Sequence, residues 1–327
     1  MTNLVDSFDR QINYMRISVT DRCDLRCIYC ASNSFHNQTH EDTLRYEEIQ
    51  KVVQAAASIG VSKIRLTGGE PLARLHLDSL VKLLTSIPGI EEVSMTTNGT
   101  QLAKHAAELK AAGLKRVNIS LDSLKPERFA YITGGDKLDE VLQGIEVANS
   151  VGLVPVKINM VVLKGINDDE ISDFVRKTIT DGWNVRFIEH MPFEGAKIKT
   201  DEMVSTQKIM DIIQKQFGEL QPHKPSAGNG PAKYYKSPNA NGTVVFISAV
   251  TDCFCADCNR FRLTSDGKLR PCLLSDDEVD IREALRHGAT IAELAQIIQS
   301  AANIKRKQHH LAEGNKPAAR SMRQIGG

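Results

Sequence analysis

The sequence carries no excess of charge of either sign: 41 Lys and Arg stand against 40 Asp and Glu, a formal net charge of +1. That balance argues against a general nucleic-acid or membrane-surface binder, so any basic site must be local. No uninterrupted apolar run is long enough to cross a bilayer, and the opening MTNLVDSFDRQ has no basic-then-apolar signal pattern. The expectation is a cytoplasmic chain without a membrane partner. Neither G-x-x-x-x-G-K-[ST] nor G-x-G-x-x-G occurs, so a nucleotide would not be held in either common way. Low-complexity tracts are also missing, as is any repeat beyond a strand–helix unit. Cysteine is used sparingly and in odd number, seven in 327 residues.

Those cysteines are grouped: Cys23, Cys27 and Cys30, then Cys253, Cys255, Cys258 and Cys272. A secreted disulfide scaffold is shorter and spreads its cysteines, whereas clustered cysteines in a cytosolic chain point to metal.

The first 195 residues alternate short β-branched runs with amphipathic stretches ending in glycine. YEEIQKVVQAAASIG places Tyr46, Ile49, Val52, Val53 and Ala56 on one helical face, with Gly60 as a stop. QLAKHAAELKAAG does the same and ends at Gly113. Six strands are expected between such helices: YMRISVT, KIRLTG, EVSMTT, RVNISLD, VPVKINMVV and NVRFIEH. Six βα units suit a barrel, complete or not, better than a small open sheet, although a doubly wound sheet shares the pattern.

Parallel strands covered on both faces should be almost continuously apolar. These alternate instead. Met15, Ile17, Ile64, Leu66, Val117 and Ile119 fall on one face; Arg16, Lys63, Arg65, Thr96, Asn118, Ser120, Lys157, Arg186 and His190 fall on the other. An antiparallel sheet with one wet face would also alternate, but the intervening helices oppose it. If the apolar face packs on helices, the polar face lines a lumen, and buried cations must be paired or used. A lumen of Arg16, Lys63, Arg65, Lys157 and Arg186 calls for a polyanion, phosphates above all. The loops after the first four strands are chemically loaded, with the three cysteines, GGEP (68–71), TTNG (96–99), and Ser120 with Asp122.

Beyond residue 195 the pattern changes. STQKIMDIIQKQFG reads as a helix, QPHKPSAGNGPAK as a surface loop, TVVFISAV as a strand, and FRLTSDGKLRPCL as a hairpin turning at Asp266-Gly267. EVDIREALRHG and TIAELAQIIQSAANIKRKQ read as helices, and the last stretch shows no periodicity. The expected organisation is residues 1–195 as the barrel and 196–327 as a smaller α+β module.

Three thiolates from one loop can hold three corners of a 4Fe–4S cube and leave one iron open to a small molecule. A structural zinc would want a fourth ligand, for which His36 and His40 are near in sequence.

With the Gly68-Gly69-Glu70-Pro71 loop, Cys23-x-x-x-Cys27-x-x-Cys30 resembles the radical S-adenosylmethionine superfamily. FCADCNRFRLTSDGKLRPCL, together with MRISVTDRC, KIRLTGGEP, TTNG, RVNISLDSL and the final IGG, resembles the GTP 3′,8-cyclase family of molybdenum cofactor biosynthesis over nearly the whole chain. The resemblance implies an incomplete (β/α)6 TIM-like barrel with a C-terminal iron–sulfur module. It implies two 4Fe–4S clusters, the first on Cys23, Cys27 and Cys30, and the second on Cys255, Cys258 and Cys272 with an open iron for guanine. Zinc stays an alternative at the second site. Tyr29, Gly69, Ser120 and Met191 would contact S-adenosylmethionine. Arg16, Lys63, Arg65, Thr96, Lys157, Arg186, Arg260 and Arg262 would contact GTP, with Arg16, Arg260 and Arg262 at the reacting centre. Gly326-Gly327 resembles a double glycine that reaches the active site. Cys253 falls outside the ligand pattern and reads as packed.

The implied reaction runs from cofactor cleavage to a 5′-deoxyadenosyl radical, hydrogen abstraction from the ribose 3′ carbon, attack on carbon 8 of guanine, and a further electron and proton. It requires an electron donor, and the family implies a homodimer. Two rivals share parts of the pattern. One is a radical enzyme with an auxiliary cluster acting on another substrate such as a peptide; the other is a non-catalytic zinc protein.

Overall fold

The computed structural model describes residues 3–30, 38–191, 193, 203–224, 232–309, 311, 317 and 319–326. Six strands, β1 (Tyr14–Ser18), β2 (Lys63–Thr67), β3 (Glu92–Thr97), β4 (Arg116–Ser120), β5 (Lys157–Val162) and β6 (Asn184–Glu189), lie parallel in sequence order. A helical segment follows each: 46–58, 77–85, 102–111, the pair 126–133 and 138–150, then 171–180 and 206–217. Six βα units are therefore present.

Met15, Ile17, Ile64, Leu66, Val117, Ile119, Ile158 and Val185 join one apolar core with Ile49, Val52, Val53, Leu80, Leu102 and Phe174 of the helices. At period two, the alternate residues turn to the inner side of the sheet. Helix ends follow local chemistry. Gly60 and Gly113 adopt φ of +102° and +103°, a region open to glycine, just past helices 46–58 and 102–111. Ser205 caps helix 206–217 by accepting from the Lys208 amide.

The remaining strands are β7 (Gln221–Pro222), β8 (Lys233–Lys236), β9 (Thr243–Ile247), β10 (Arg260–Leu263), β11 (Lys268–Arg270) and β12 (Val279–Asp280). All twelve belong to one sheet, ordered β12-β11-β10-β1-β2-β3-β4-β5-β6-β9-β8-β7. β10 pairs parallel with β1, and β9 pairs parallel with β6. The C-terminal strands thus extend both edges of the six-strand barrel, which remains open among the described residues, and each edge ends in antiparallel hairpin strands that cover it.

Two local expectations need correction, and the stretch without periodicity carries an element of its own. EVDIREALRHG begins as β12, because Val279 and Asp280 pair with Leu269 and Lys268, and only Arg282–Arg286 is helical. The helix in the next segment ends at Asn303, after a capping box between Thr290 and Glu293 at its start. Met322–Ile325 forms a short helix with Ile325 buried, so the described end of the chain is docked.

Candidate functional site

The first cysteine loop leaves the C-terminal end of β1 and is zipped to GGEP by backbone. The Gly69 amide donates to the Thr20 carbonyl and the Glu70 amide to the Arg22 carbonyl, each at 2.7 Å. A Cβ on Gly68 would lie 2.5 Å from the Thr20 carbonyl oxygen, and one on Gly69 2.3 Å from that of Arg22. The two glycines are required first by this approach of the chain to itself.

Glu70 is fully buried and ties the second loop to the third. Its carboxylate accepts from Thr97 Oγ1 (2.6 Å), the Asn98 amide (2.7 Å) and the Leu72 amide (3.0 Å). Burial nonetheless pushes its pKa up to about 7. Asn98 continues the chain, donating to Asp24 Oδ1 at 2.8 Å and standing 3.8 Å from Cys23 Sγ. Asp24 Oδ2 also accepts from Thr100 Oγ1 and Lys137 Nζ. These carboxylates fix the loop that presents the cysteines. Sequence reasoning did not assign Glu70 or Asp24 a role; the only signal was a carboxylate within each loaded loop.

Burial raises the pKa of all three thiols, Cys23 to about 11 and Cys30 to about 12, with Cys27 also raised and the other two thiols adding repulsion. Three half-buried sulfurs that repel one another suit a positively charged metal group. Their ligand atoms do not all lie within 4.8 Å of one another, nor do those of Cys255, Cys258 and Cys272. Each trio supplies three thiolates, one short of a closed structural zinc site and enough for a cluster with one open iron. His36 lies outside the described residues; His40 is exposed and lines a separate surface groove with Arg45 and Arg286.

Tyr29 donates to Asp122 Oδ2 at 2.6 Å, and Asp122 Oδ1 accepts from the Val161 amide at 2.8 Å. Burial pushes Asp122 up to about 6. The Tyr29 ring meets His190 edge-on, with centroids 6.5 Å apart. Ser120 ends β4 opposite Asn159, and Met191 follows His190 past β6; both are half-buried. Tyr29, Gly69, Ser120 and Met191 all stand at the C-terminal side of the parallel strands, as do Cys23, Cys27 and Cys30.

The cations collect toward the other end. A cavity is lined by Arg16, Lys63, Arg65, Arg116, Lys157, Arg186 and Arg260 with Tyr14, Asn118, Tyr234 and a single carboxylate, Glu92. Arg116 takes that carboxylate at 2.6 Å. Thr96 joins the group by accepting from Arg65 Nη1 at 3.4 Å. Burial, then repulsion from Arg186, Arg116 and Arg65, brings Lys157 down to about 7. Burial also brings Arg186 and Arg262 to about 10 and lowers Arg16 well below its usual value, Arg262 adding repulsion at Arg16. Arg116, Tyr14 and Tyr234 were not among the expected contacts. Arg116 stands at the first position of β4, in alternation with Asn118 and Ser120 and so on the same polar face. Lys157 Nζ donates to the Tyr234 hydroxyl at 3.0 Å.

The second cysteine group lies where β10 joins the barrel. Arg262 pairs across with Arg270, so the hairpin returns Cys272 beside Arg260 and Cys258. Gly267, at φ +79°, makes the turn expected at Asp266-Gly267. Burial would raise the Cys258 thiol, but Lys305 and Arg260 outweigh it and lower its pKa. Lys305 Nζ also donates to the Arg260 and Pro271 carbonyls. β10 pairs with β1 so that Arg16 stands level with Arg262, which brings the two halves of the site together. Arg262 Nη1 donates to the Gly326 carbonyl at 2.6 Å, while Gly327 lies outside the described residues. Cys253 is exposed and therefore not packed as expected; it lies in the loop leading to β10 rather than on a strand.

The Radical SAM superfamily profile matches residues 17–178, and Molybdenum Cofactor Synthesis C matches residues 183–311. Among solved structures, Streptococcus suis SuiB bound to S-adenosylmethionine is similar at TM-score 0.62 and 15% identity, covering 89% of this chain and 73% of that one. A polyhistidine-tagged anSMEcpe with bound AdoMet is similar at TM-score 0.57 and 18% identity, covering 79% and 71%. These two share the fold. The GTP 3′,8-cyclase of Moorella thermoacetica is 48% identical over 323 residues, 98% of this chain and 99% of that protein. The one from Pelotomaculum thermopropionicum is 47% identical over 324 residues, again 98% and 99%. With that identity sustained along nearly its full length, the chain belongs to the GTP 3′,8-cyclase family of the radical SAM superfamily.

Proposed function

We propose that the chain converts GTP to 3′,8-cyclo-7,8-dihydro-GTP, with its reacting centre between the two cysteine groups. The observation that carries this reading is the cation-lined lumen: seven Lys and Arg side chains against one carboxylate, already taken, answer the charge of a triphosphate. A peptide would have no use for so many cations around one cavity.

Cys23, Cys27 and Cys30 would hold the 4Fe–4S cluster, and Tyr29, Gly69, Ser120 and Met191 would line the S-adenosylmethionine site. When bound and reduced, that pair supplies the 5′-deoxyadenosyl radical that takes a hydrogen atom from the ribose 3′ carbon. Cys255, Cys258 and Cys272 would hold a second cluster that orients guanine. Lys63, Arg65, Thr96, Lys157 and Arg186 would hold the phosphates by charge-assisted hydrogen bonds, while Arg16, Arg260 and Arg262 hold the ribose and base close enough to join. The docked tail, with Ile325 buried and Gly326 on Arg262, keeps water from the reacting carbons. Residues 1–195 would serve the radical and 196–327 the base, the two sharing one sheet. No described helix is long and apolar enough to cross a membrane. A homodimer and a separate electron donor complete the reading.

Anaerobic reconstitution followed by reduction and S-adenosylmethionine tests it. GTP, but not ATP, should drive 5′-deoxyadenosine formation and yield an isomer of equal mass. Cleavage indifferent to GTP would retain the radical chemistry and reject the substrate.

A further inference from the structure

Cys253 has no place in either cysteine trio, yet it has partners. Its Sγ, Cys255 Sγ and a ring nitrogen of His309 all lie within 4.8 Å of one another. Among the described residues no other three His, Cys, Asp or Glu ligand atoms stand so close. Two thiolates and an imidazole are a donor set for a borderline-soft divalent cation. Tetrahedral zinc would bring such atoms to about 3.5–3.8 Å apart, a contraction that small side-chain rotations supply.

The surroundings are built to hold these donors together. Arg10 Nη1 donates to the Cys255 carbonyl at 2.7 Å and to the Lys307 carbonyl at 2.9 Å, and Arg10 Nη2 donates to the Arg306 carbonyl at 2.7 Å. One buried guanidinium, itself fixed by Asp6 at 2.6 Å, therefore clamps the segment before His309 onto the Cys255 loop. The imidazole is oriented as well. His309 Nε2 stands 3.0 Å from the Ala249 carbonyl; when it donates there, Nδ1 accepts from the Leu311 amide at 3.4 Å, a long bond that a metal ion on Nδ1 would replace. A ligating imidazole is commonly aimed by such a bond from its other nitrogen to a carbonyl. On the other side, Glu189 accepts from the Val250 and Thr251 amides at 3.0 Å each and anchors the approach to Cys253.

We propose that Cys253, Cys255 and His309 form a mononuclear site for a zinc-class divalent cation, with its fourth position open to solvent. Cys255 also belongs to the proposed second cluster, so on that reading the single ion and the cluster exclude one another.

The test uses the full-length chain, metal-free, with Zn²⁺ competed against a chromogenic chelator and Co²⁺ followed by its thiolate charge-transfer absorption. A full-length variant with Cys23, Cys27 and Cys30 changed to serine removes the other thiolate group. One tight site is expected, weakened at least about tenfold by Cys253→Ser, whose side chain is exposed, and by His309→Ala, but kept in Cys258→Ser and Cys272→Ser. Zinc affinity that ignores Cys253→Ser and His309→Ala, or that is lost with Cys258→Ser, overturns the site. Exclusion is read by iron content and electron paramagnetic resonance. Zinc added before reconstitution should lower iron from about eight to about four per chain, and Cys253→Ser should restore it. Full iron together with bound zinc overturns the exclusion. If the zinc-free chain never exceeds about four irons, the second cluster fails as a reading, while the titration still decides the mononuclear site.

Discussion

Arg262 and Gly326 are 64 residues apart and meet at 2.6 Å, the guanidinium donating to the glycine carbonyl. Gly326 stands at φ +68°, and a Cβ there would fall 2.1 Å from Thr67 Oγ1. Only glycine seats the tail against the ends of β1 and β2 and delivers this carbonyl to Arg262. Gly326→Ala should therefore leave the fold intact and misplace Arg262. The expected result is a turnover loss of roughly 10- to 100-fold, the worth of about 1.5–3 kcal/mol for a hydrogen bond to a charged group, with Tm nearly unchanged. Product yield and a melting curve on the same sample check it.

Lys157 makes substrate binding pH-dependent. Its pKa is lowered to about 7 by burial and by the arginines around it. A polyanion raises it again, so binding takes up a proton once the pH exceeds that of the empty site. Affinity for GTP should be full below about pH 7 and fall as pH rises through it. Calorimetry at pH 8 in buffers of different ionisation enthalpy should detect uptake approaching one proton, and Lys157→Met should abolish it.

Crowded cations oppose folding while the lumen is empty. Arg186 is held down to about 10 by burial, with Arg65 and Arg260 repelling it. Arg186→Met should leave Tm unchanged or higher in phosphate-free buffer, while triphosphate affinity drops about tenfold or more. A lower Tm together with unchanged affinity would reject this division of labour.

Glu70 is a test of the scaffold rather than of the chemistry. Both its oxygens accept, Oε1 from Thr97 and Leu72 and Oε2 from Asn98. Glu70→Gln keeps the shape but turns an NH2 toward at least one donor. A stability loss of about 1–3 kcal/mol is expected, with a lower yield of iron in the first cluster. Urea unfolding and iron content of the reconstituted variant measure the two effects.

The barrel was legible because period-two alternation survives in every strand, from Arg16 to Arg186, and glycines mark the helix ends. The cation lumen followed from the same alternation. What the sequence concealed is long-range. β9 and β10 are short, and nothing local says that one pairs with β6 and the other with β1, nearly 250 residues earlier in the chain. The tail has no periodicity because its four-residue helix is set by contacts with Arg262, Thr67 and Ser18 rather than by an apolar stripe. Glu70 and Asp24 escaped notice because a loop carboxylate reveals its partners only in three dimensions. Cys253 reads as packed from sequence, yet it stands exposed beside Cys255 and His309, the latter more than 50 residues further along the chain.

The most direct measurement follows hydrogen from substrate to cofactor. GTP deuterated at the ribose 3′ carbon, given anaerobically with S-adenosylmethionine to the reduced chain, should place one deuterium in 5′-deoxyadenosine and none at that carbon of the cyclised product. Unlabelled 5′-deoxyadenosine formed in the same amount with or without GTP would contradict the account.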